Sequence, residues 1–303
     1  MMYSVGVDIG GSHVASCMFE HRNKILQRNT WVYRPVDTMA SKNVIIRQWV
    51  ETIKKSIELS GQEIVGVGIA IPGPFKYFEG ISMISGVEKL EALYEVNVRE
   101  ELAEKLNIPA SKIRFINDAA AFSIAETAMG PASEVKKVVA ITLGTGLGSC
   151  FLHKGLPLLD HAKVPKGGFL YNQVYHGKNA DDVFSTRGIQ KHYYELAGKT
   201  VNSVKELADT AAYDTKAAET FQWFGVELGK FLAPYLQEFE AEMLVIGGNI
   251  SKAKKYFMPG LMAQVKHTRI YISNFGEEAA VIGSSLLLED DFYTSLIPTL
   301  KSM

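Results

Sequence analysis

Cysteine is scarce in this chain of 303 residues, which contains only Cys17 and Cys150. Each lies in an apolar segment, so both are expected to be small buried side chains rather than reactive thiols. This scarcity argues against a secreted domain held by disulfides and against a zinc site built mainly from thiolates. We therefore predict that the protein has no structural zinc.

Long apolar runs and an excess of charge of one sign are also missing. No segment approaches the roughly 18 uninterrupted apolar residues of a membrane-spanning helix. The 32 Lys and Arg residues are balanced by 33 Asp and Glu residues, which gives no overall support for a nucleic-acid-binding face. The first residues show neither the charged start nor the cleavage site of a signal peptide. The sequence thus predicts a cytoplasmic protein that binds neither nucleic acid nor membrane.

Apolar strand-like segments alternate with longer helical patterns along the chain. The segment 41–59 places its apolar residues on one helix face, with Ser41 at its start and Gly61 just past its end. This alternation predicts an α/β protein with largely buried sheets. The predicted strands are 3–9, 65–71, 138–143 and 243–246.

A weak internal repeat relates the start of the chain to its middle. The segment DIGGSHVASCMF, from Asp8, has a partner in TLGTGLGSCFL, from Thr142. Each reads as a strand, a glycine turn with a hydroxyl residue, and a second apolar strand containing Ser-Cys. Gly10 then corresponds to Gly144. The repeat predicts two related halves that each present one glycine hairpin, joined near 115–120.

The glycine turns themselves allow two interpretations. Glycine permits the positive φ of a tight hairpin, so both turns are compatible with ordinary β-hairpins. Consecutive amides in such turns also form concavities that bind anions, and Ser12, Thr142 and Thr145 add hydroxyl groups. Asp8 precedes the first turn at a position where a strand residue is normally apolar. We exclude a dinucleotide-binding fingerprint because a strand-like segment follows GTGLGS, and no Gly-Lys-Ser/Thr ends either turn.

Asn117 and Asp118 lie where a predicted strand passes into an alanine-rich helix within 114–130. Asn or Asp at such a position is often only a helix N-cap. The helix N-terminus also favours an ionised carboxylate, which would let Asp118 accept a proton from a hydroxyl group attacking phosphorus. The residues alone support cap and general base equally.

A third glycine pair, Gly247-Gly248, follows the last predicted strand and precedes a helix predicted from Ser251. It is compatible with the close approach of a nucleoside to the backbone and equally with a simple strand-to-helix turn.

Five motifs occur together in the order and spacing of a known family. They are DIGGS at 8–12, IPGP at 71–74, INDA at 116–119, LGTGLG at 143–148 and IGGNIS at 246–251. With them, nearly the whole chain resembles the ROK family (repressors, open reading frames and sugar kinases), within the actin-like, ribonuclease-H-like ATPase superfamily. The resemblance implies a two-domain α/β fold with an interdomain cleft that closes on its substrates. We expect domains at 1–117, completed by a C-terminal helix at about 290–303, and at 118–289.

The resemblance also implies roles for individual residues. Asp118 would be the general base, and Asp8 would help to hold Mg²⁺ through water. The expected ATP-binding residues are Asp8, Gly10, Gly11, Ser12, Gly144, Thr145, Gly146, Gly247, Gly248 and Asn249. The expected sugar-binding residues are Gly73, Asn117, Asp118 and Asp181. A homodimer is expected because relatives are often dimers.

The sequence departs from the family pattern after the second hairpin. The usual Glu-x-Gly-His sugar segment is replaced by KVPKGGFLYNQVYHG at 163–177, and the cysteines of the usual zinc segment are absent. The motif Leu-Glu-x-x-x-Ser appears as ADDVFSTRGI at 180–189, which places Asp181 where a sugar-binding Glu is expected. The sequence thus implies that sugar recognition has been rebuilt.

The leading hypothesis is an ATP- and Mg²⁺-dependent kinase acting on a hexose or a related sugar. One alternative is a non-catalytic sugar or nucleotide sensor that has no DNA-binding domain of its own, against which the retained Asp118 argues. Another is an actin-like ATPase with a protein client, against which the IPGP and INDA motifs argue.

Overall fold

The computed structural model describes residues 2–86 and 89–303, which form two compact units. Unit 1 contains the chain up to Ala125 together with Glu277–Met303, and unit 2 contains Glu126–Gly276. This division falls inside the helix that begins at Asp118, whereas the predicted domain boundary precedes that helix. The predicted domains therefore stay a prediction. In the described part of the chain, none of the helices combines the length and the apolar character needed to cross a bilayer.

Strands and helices follow one another along the chain in the α/β manner predicted. The strands are β1 Tyr3–Ile9, β2 His13–Glu20, β3 Ile25–Leu26, β4 Val32–Pro35, β5 Val67–Ile71, β6 Phe75–Lys76, β7 Ile81–Ser82, β8 Ile113–Asn117, β9 Lys137–Leu143, β10 Leu147–His153, β11 Leu156–Leu158, β12 Val174–Tyr175, β13 Lys178–Asn179, β14 Met243–Gly247 and β15 Arg269–Ile272. The α-helices are α1 Lys42–Ser60, α2 Val98–Leu106, α3 Asp118–Met129, α4 Ala180–Val183, α5 Thr186–Ala197, α6 Val204–Thr210, α7 Thr215–Phe239, α8 Lys254–Gln264, α9 Glu278–Ser285 and α10 Asp290–Ser302.

The main sheet of unit 1 has the strand order β3-β2-β1-β5-β8, and β4 also pairs with β2. The β1–β2 hairpin is antiparallel, whereas β1, β5 and β8 are mutually parallel. The carboxyl ends of these three parallel strands therefore meet at one edge of the sheet. Helix α1 packs on this sheet through apolar side chains such as Ile45, Trp49 and Ile53, which are fully buried.

The sheet of unit 2 repeats this plan in the order β11-β10-β9-β14-β15. Its β9–β10 hairpin is antiparallel, and β9, β14 and β15 are parallel. Asp8 is the sixth residue of β1 and Thr142 the sixth residue of β9, and the two strands share the same burial pattern. The internal repeat predicted from the sequence is thus confirmed at the level of topology.

Helix α9 lies directly against the sheet of unit 1 because glycines face it. A Cβ atom on Gly6 would stand 2.0 Å from the carbonyl oxygen of Val281, and one on Gly68 would stand 1.8 Å from that of Ser284. The hydroxyl of Ser284 also accepts a hydrogen bond from the Val7 amide at 3.2 Å. The helix backbone therefore packs at a separation that larger residues in β1 and β5 would prevent.

Local predictions were confirmed except at element ends. Helix α1 spans Lys42–Ser60 with Gly61 in the left-handed conformation at its C-cap, but the Ser41 side chain makes no capping hydrogen bond. The helix predicted from Ser251 begins instead at Lys254, after a 3₁₀ segment at Asn249–Ala253. Here Ser251 bonds backward to the carbonyl of Gly248, which tightens the turn before the α-helix starts.

Both thiols are buried, as predicted, and neither is in a disulfide. Cys17 is fully buried and has a raised pKa of about 11, chiefly because burial penalises the thiolate. These are the properties of a packing residue rather than a nucleophile.

Candidate active site

The carboxyl edge of the unit 1 sheet gathers three of the predicted site segments. The register pairs Asp8 of β1 with Ala70 of β5, and Ile71 of β5 with Asn117 of β8. The Gly10–Ser12 turn, the loop containing Gly73 and the start of α3 therefore all follow this edge. Ligands of open α/β sheets bind at the carboxyl ends of parallel strands.

The first glycine turn carries unoccupied amide groups. Gly10 donates its amide to the carbonyl of His13 at 3.0 Å, which closes the turn. Within residues 2–86 and 89–303, the amides of Gly11 and Ser12 donate to no protein acceptor. Because Ser12 is also exposed, this turn is able to donate several hydrogen bonds to an anion.

The reason for glycine in this turn differs from the one predicted. Neither Gly10 nor Gly11 adopts the left-handed φ that would itself require glycine. Instead, a Cβ atom on Gly10 would lie 2.3 Å from Cε1 of His13, and one on Gly11 would lie 3.3 Å from Nζ of Lys89. Glycine at Gly10 thus allows the His13 ring to pack directly on the turn.

Asp8 and His13 form a pair beside this turn. Nε2 of His13 lies 3.7 Å from Oδ2 of Asp8, and the carboxylate raises the pKa of His13 while partial burial opposes it. The His13 ring also stacks on Tyr33 with ring centroids 5.2 Å apart. Asp8 and Tyr33 therefore both hold the His13 ring in place.

The donor set at Asp8 suits a magnesium ion that is brought with a nucleotide. Mg²⁺ is usually held by one or two carboxylates, several waters and the phosphates of the substrate. Asp8 supplies one half-buried carboxylate next to the free amides of the turn. The described residues contain no group of three His, Cys, Asp or Glu side chains that would form a complete protein cage for a metal.

Asn117, rather than Asp118, caps helix α3. Oδ1 of Asn117 accepts hydrogen bonds from the amides of Ala119 at 3.0 Å and Ala120 at 3.2 Å. Asp118 is the first residue of the helix, and its Oδ1 accepts from the Ala119 amide at 2.8 Å. The Asp118 side chain also interacts with that of Asn117, and it is exposed to solvent. The capping interpretation therefore applies mainly to Asn117, and the role of Asp118 as a general base stays a prediction.

The pKa of Asp118 is raised above its ordinary value. The surrounding protein desolvates the carboxylate, although the side chain keeps access to solvent, and the negative charge of Asp8 adds repulsion. The hydrogen bonds at the helix start act in the opposite direction but are outweighed. The helix start thus favours the ionised form of Asp118, as expected, but desolvation and the charge of Asp8 have the larger effect. A raised pKa makes the carboxylate a stronger base.

A buried tyrosine links two of the predicted sugar-binding positions. Oη of Tyr77 donates to the carbonyl of Ile71 at 3.1 Å and accepts from Nδ2 of Asn117 at 3.4 Å. The same oxygen would lie 3.2 Å from a Cβ atom on Gly73. Tyr77, which the sequence analysis missed, thus fixes the amide of Asn117 and closes the space beside Gly73. The short β6–β7 hairpin that carries it gave no such signal in the sequence.

In unit 2, the register places two more predicted segments side by side. Gly247 at the end of β14 pairs with Thr142 of β9, so the Gly144–Gly146 turn and the Gly248-Asn249 segment follow neighbouring strand ends. Gly248 has a φ of 81°, and a Cβ atom there would lie 2.3 Å from the carbonyl oxygen of Leu143. Glycine is required at this position on both grounds.

Asp181 lies against the second glycine turn. Its Oδ1 accepts a hydrogen bond from the amide of Leu147 at 2.6 Å, and its Oδ2 pairs with the guanidinium of Arg187. A Cβ atom on Gly146 would stand 2.9 Å from Oδ1 of Asp181. The prediction that Asp181 binds sugar stays a prediction, but in this structure both of its oxygens have protein partners.

The loop that replaces the usual sugar segment is anchored to β10. The hydroxyl of Ser149 donates to the carbonyl of Gly168 and accepts from the amide of Leu170, both at 2.8 Å. Gly167 and Gly168 have φ values of 73° and 71°, and Tyr171 is exposed. The loop is therefore a defined turn rather than an extension of the sheet.

A model of the ROK family matches residues 4–291 of the chain. The chain belongs to the ROK family. The motifs that suggested this relationship all lie within the matched region.

Individual relatives agree with this membership. The glucokinase of Thermotoga maritima is 27% identical over 94% of this chain and 97% of its own length. The crystal structure of a ROK hexokinase from Thermus thermophilus superposes with a TM-score of 0.78 at 20% identity, covering 97% of this chain and all of that one. A ROK glucokinase from Streptomyces griseus, solved with glucose and AMPPNP, gives a TM-score of 0.73 at 17% identity over 94% of this chain and 98% of its own.

These structures have the actin-like ATPase fold, and the likeness shows that this chain shares it. The predicted fold class is therefore confirmed. The repeated order of hairpin and parallel strands in units 1 and 2 is the feature of this fold that the sequence repeat had indicated.

Proposed function

We propose that this ROK protein is a sugar kinase that transfers the γ-phosphoryl group of ATP to a hydroxyl group of a hexose or a related sugar. The observation that carries this proposal is the difference between Asn117 and Asp118 at the start of α3. Asn117 accepts from the helix amides, and Asp118 carries a solvent-accessible carboxylate with a raised pKa. Family membership and kinase relatives support the same reaction class.

Asp118 is the general base in this proposal. It accepts the proton of the sugar hydroxyl while the hydroxyl oxygen forms its bond to the γ-phosphorus, the bond to the bridging oxygen breaks, and ADP leaves. Asn117 and the backbone at Gly73 bind the sugar, and Tyr77 holds the Asn117 amide in place. Such positioning contributes to the rate because the hydroxyl is presented to the base in a fixed geometry.

The two glycine turns bind the phosphates of ATP through their amides. The residues proposed for this role are Asp8, Gly10, Gly11 and Ser12 in unit 1, with Gly144, Thr145 and Gly146 in unit 2. Gly247, Gly248 and Asn249 bind the adenosine. Asp8 would hold Mg²⁺ through water, and the bound ion would neutralise charge on the phosphates.

Location and assembly complete the proposal. The balanced charge of the chain supports a protein that does not bind nucleic acid. We place the enzyme in the cytoplasm as a homodimer, and light scattering should then give twice the chain mass of 33.5 kDa. A mass equal to that of one chain would contradict the dimer without affecting the proposed reaction.

A sugar panel with ATP and Mg²⁺ tests the reaction directly. We expect ADP release only in the presence of an accepted sugar, together with a product heavier by one phosphate in mass spectrometry. ADP release at the same rate without sugar would favour an ATPase with a protein client. Binding of sugar and nucleotide without turnover would favour a sensor.

The role of Asp118 is tested with Asp118→Asn. This change keeps the shape of the side chain but removes the base, so we expect AMPPNP affinity within about twofold and turnover reduced by about 10²-fold or more. Asp291→Asn is a matched control because Asp291 also lies in the first turn of a helix, α10, to which the proposal assigns no role. Near-normal turnover of Asp118→Asn would show that another group accepts the proton.

A further inference from the structure

In the second glycine turn, Gly144–Gly146, the carbonyl oxygens and the amide groups differ in their hydrogen bonding. Every carbonyl oxygen from Gly144 to Gly146 accepts a hydrogen bond from this chain. Gly144 accepts from the amide and hydroxyl of Thr186 at 2.8 and 3.0 Å, Thr145 from Arg187 at 3.4 Å, and Gly146 from the amide of Gly144 at 3.0 Å. In the described ranges, the amides of Thr145 and Gly146 donate to no protein acceptor. The carbonyl oxygens of the turn are therefore engaged within the protein, whereas the amides of Thr145 and Gly146 are available to a ligand.

The conformation of this turn depends on contacts with the segment that contains Asp181. The Asp181 carboxylate fixes the Leu147 amide at the far end of the turn, and Thr186 fixes the Gly144 carbonyl at the near end. Asp181 also packs on Gly146, where a Cβ atom would lie 2.9 Å from Oδ1, whereas a Cβ atom on Gly144 would meet nothing within 4 Å. One side of the turn is therefore closed by Asp181, while the side at Gly144 is open.

Arg187 pairs with the carboxylate of Asp181 and partly neutralises its charge. An unpaired carboxylate beside a phosphate-binding turn would repel the phosphate, but Arg187 pairs with Asp181 and also lies 3.0 Å from Asp182. Arg187 is held at the first turn of α5, where its guanidinium also reaches the carbonyl of Thr145. Charge-assisted hydrogen bonds of this kind are typical of a carboxylate with a structural role rather than of one that is available to bind a sugar hydroxyl.

We infer that Asp181 is a positioning residue for the nucleotide phosphates and not a ligand of the sugar. Together with Thr186 and Arg187 it fixes the Gly144–Gly146 turn in the conformation that presents free amides. This inference rests on the proposed function, because it assigns the turn to the phosphates of ATP. It also implies that sugar selectivity comes from other residues.

The test separates nucleotide binding from sugar binding. In Asp181→Ala we expect the Kd for AMPPNP, measured by isothermal titration, and the KM for ATP to rise about tenfold, since one hydrogen bond and one charge pair are lost. The KM for the accepted sugar should stay within about twofold. Asp181→Asn should act in the same direction but less strongly, because its amide oxygen still accepts from Leu147.

Two further variants keep the inference testable. Thr186→Val removes one bond to the Gly144 carbonyl without touching Asp181, and should raise the AMPPNP Kd about threefold. Asp182→Asn is the matched control, since Asp182 contacts the same guanidinium but not the turn, and should leave the AMPPNP Kd within about twofold.

The opposite pattern would overturn the inference. A higher sugar KM in Asp181→Ala with unchanged AMPPNP affinity would show that Asp181 is a sugar ligand, and unchanged values for both would show that these contacts of Asp181 have no role. Failure of the wild-type protein to phosphorylate any sugar would contradict the proposed function instead, and the AMPPNP titrations would still decide the role of Asp181.

Discussion

At the scale of single residues, Asp118 shows how neighbouring side chains divide two tasks. Asn117 accepts two of the capping hydrogen bonds, and the neighbouring Asp118 carboxylate lies in an environment that disfavours its negative charge. Desolvation and the nearby charge of Asp8 both favour its protonated form. Proton binding by such a carboxylate is more favourable than by an ordinary Asp, and a base requires this property.

The raised pKa of Asp118 predicts the pH dependence of turnover. Since only the ionised form accepts a proton, kcat/KM should fall as the pH drops through the folded-state pKa, and this limb should lie above the value of about 3.9 for an ordinary Asp. A pH–rate profile from about pH 4 to 8 measures it. A rate that stays level down to about pH 4 would contradict the raised pKa.

The same pKa shift has a consequence for stability. A carboxyl group with a folded-state pKa above its unfolded value stabilises the fold most when protonated, and this contribution is lost as the pH rises through the folded-state pKa. At neutral pH, Asp118→Asn should therefore unfold at a temperature equal to or above that of the wild type. A clearly lower melting temperature would indicate that the ionised carboxylate makes favourable contacts.

At the scale of elements, the packing of α9 on β1 and β5 is set by missing side chains. The apolar pattern of the strands predicted their burial but not which element covers them. Gly6 and Gly68 decide that α9 covers them, because the absence of a Cβ atom lets the carbonyl groups of this helix pack directly on the strand backbone.

Gly68→Ala should destabilise unit 1 strongly. The new Cβ atom would stand 1.8 Å from the carbonyl oxygen of Ser284, so α9 has to shift, at a cost of at least about 2 kcal/mol in the free energy of unfolding. Urea denaturation followed by circular dichroism measures the change. Gly144→Ala is the control for stability, since its Cβ atom would meet nothing within 4 Å, and it should change the free energy by less than about 0.5 kcal/mol. Equal stability of both variants would show that α9 moves without cost.

At the scale of the whole chain, the C-terminal segment returns to unit 1 and is held there by Arg114. The guanidinium of this buried residue of β8 donates to the carbonyl of Leu287 at 2.6 Å and to Asp290 at 2.5 Å, and lies 4.0 Å from the ring centre of Tyr293. Arg114 thereby holds the segment at Leu287 and Asp290, which lies more than 170 positions later in the chain.

Arg114→Leu should loosen the attachment of α10. Loss of the bonds to Leu287 and Asp290 should lower the free energy of unfolding by about 1–3 kcal/mol, and hydrogen exchange should increase in Asp290–Ser302. Asp290→Asn should cost less than about 1 kcal/mol, because the Asp290 side chain is 68% exposed.

The ion pair between Arg114 and Asp290 also makes stability depend on pH. Arg114 lowers the pKa of Asp290, so the small contribution of this pair to the free energy of unfolding is present above about pH 4 and is lost as the pH falls through the folded-state pKa. Unchanged exchange in α10 of Arg114→Leu would contradict this account of the attachment.

The sequence by itself determined the α/β class, the repeat and the positions of the glycine turns and Asp118, because these depend on short-range patterns of apolar residues, glycine and carboxylates. Strand 137–143 and helix 42–60 were predicted to within two residues for the same reason. Only the tertiary structure decided what the individual groups contact. Asn117 became the cap, Tyr77 closed the space beside Gly73, and Asp181 met Leu147 and Arg187, because these contacts join residues from separate elements whose approach depends on the packing of the whole unit.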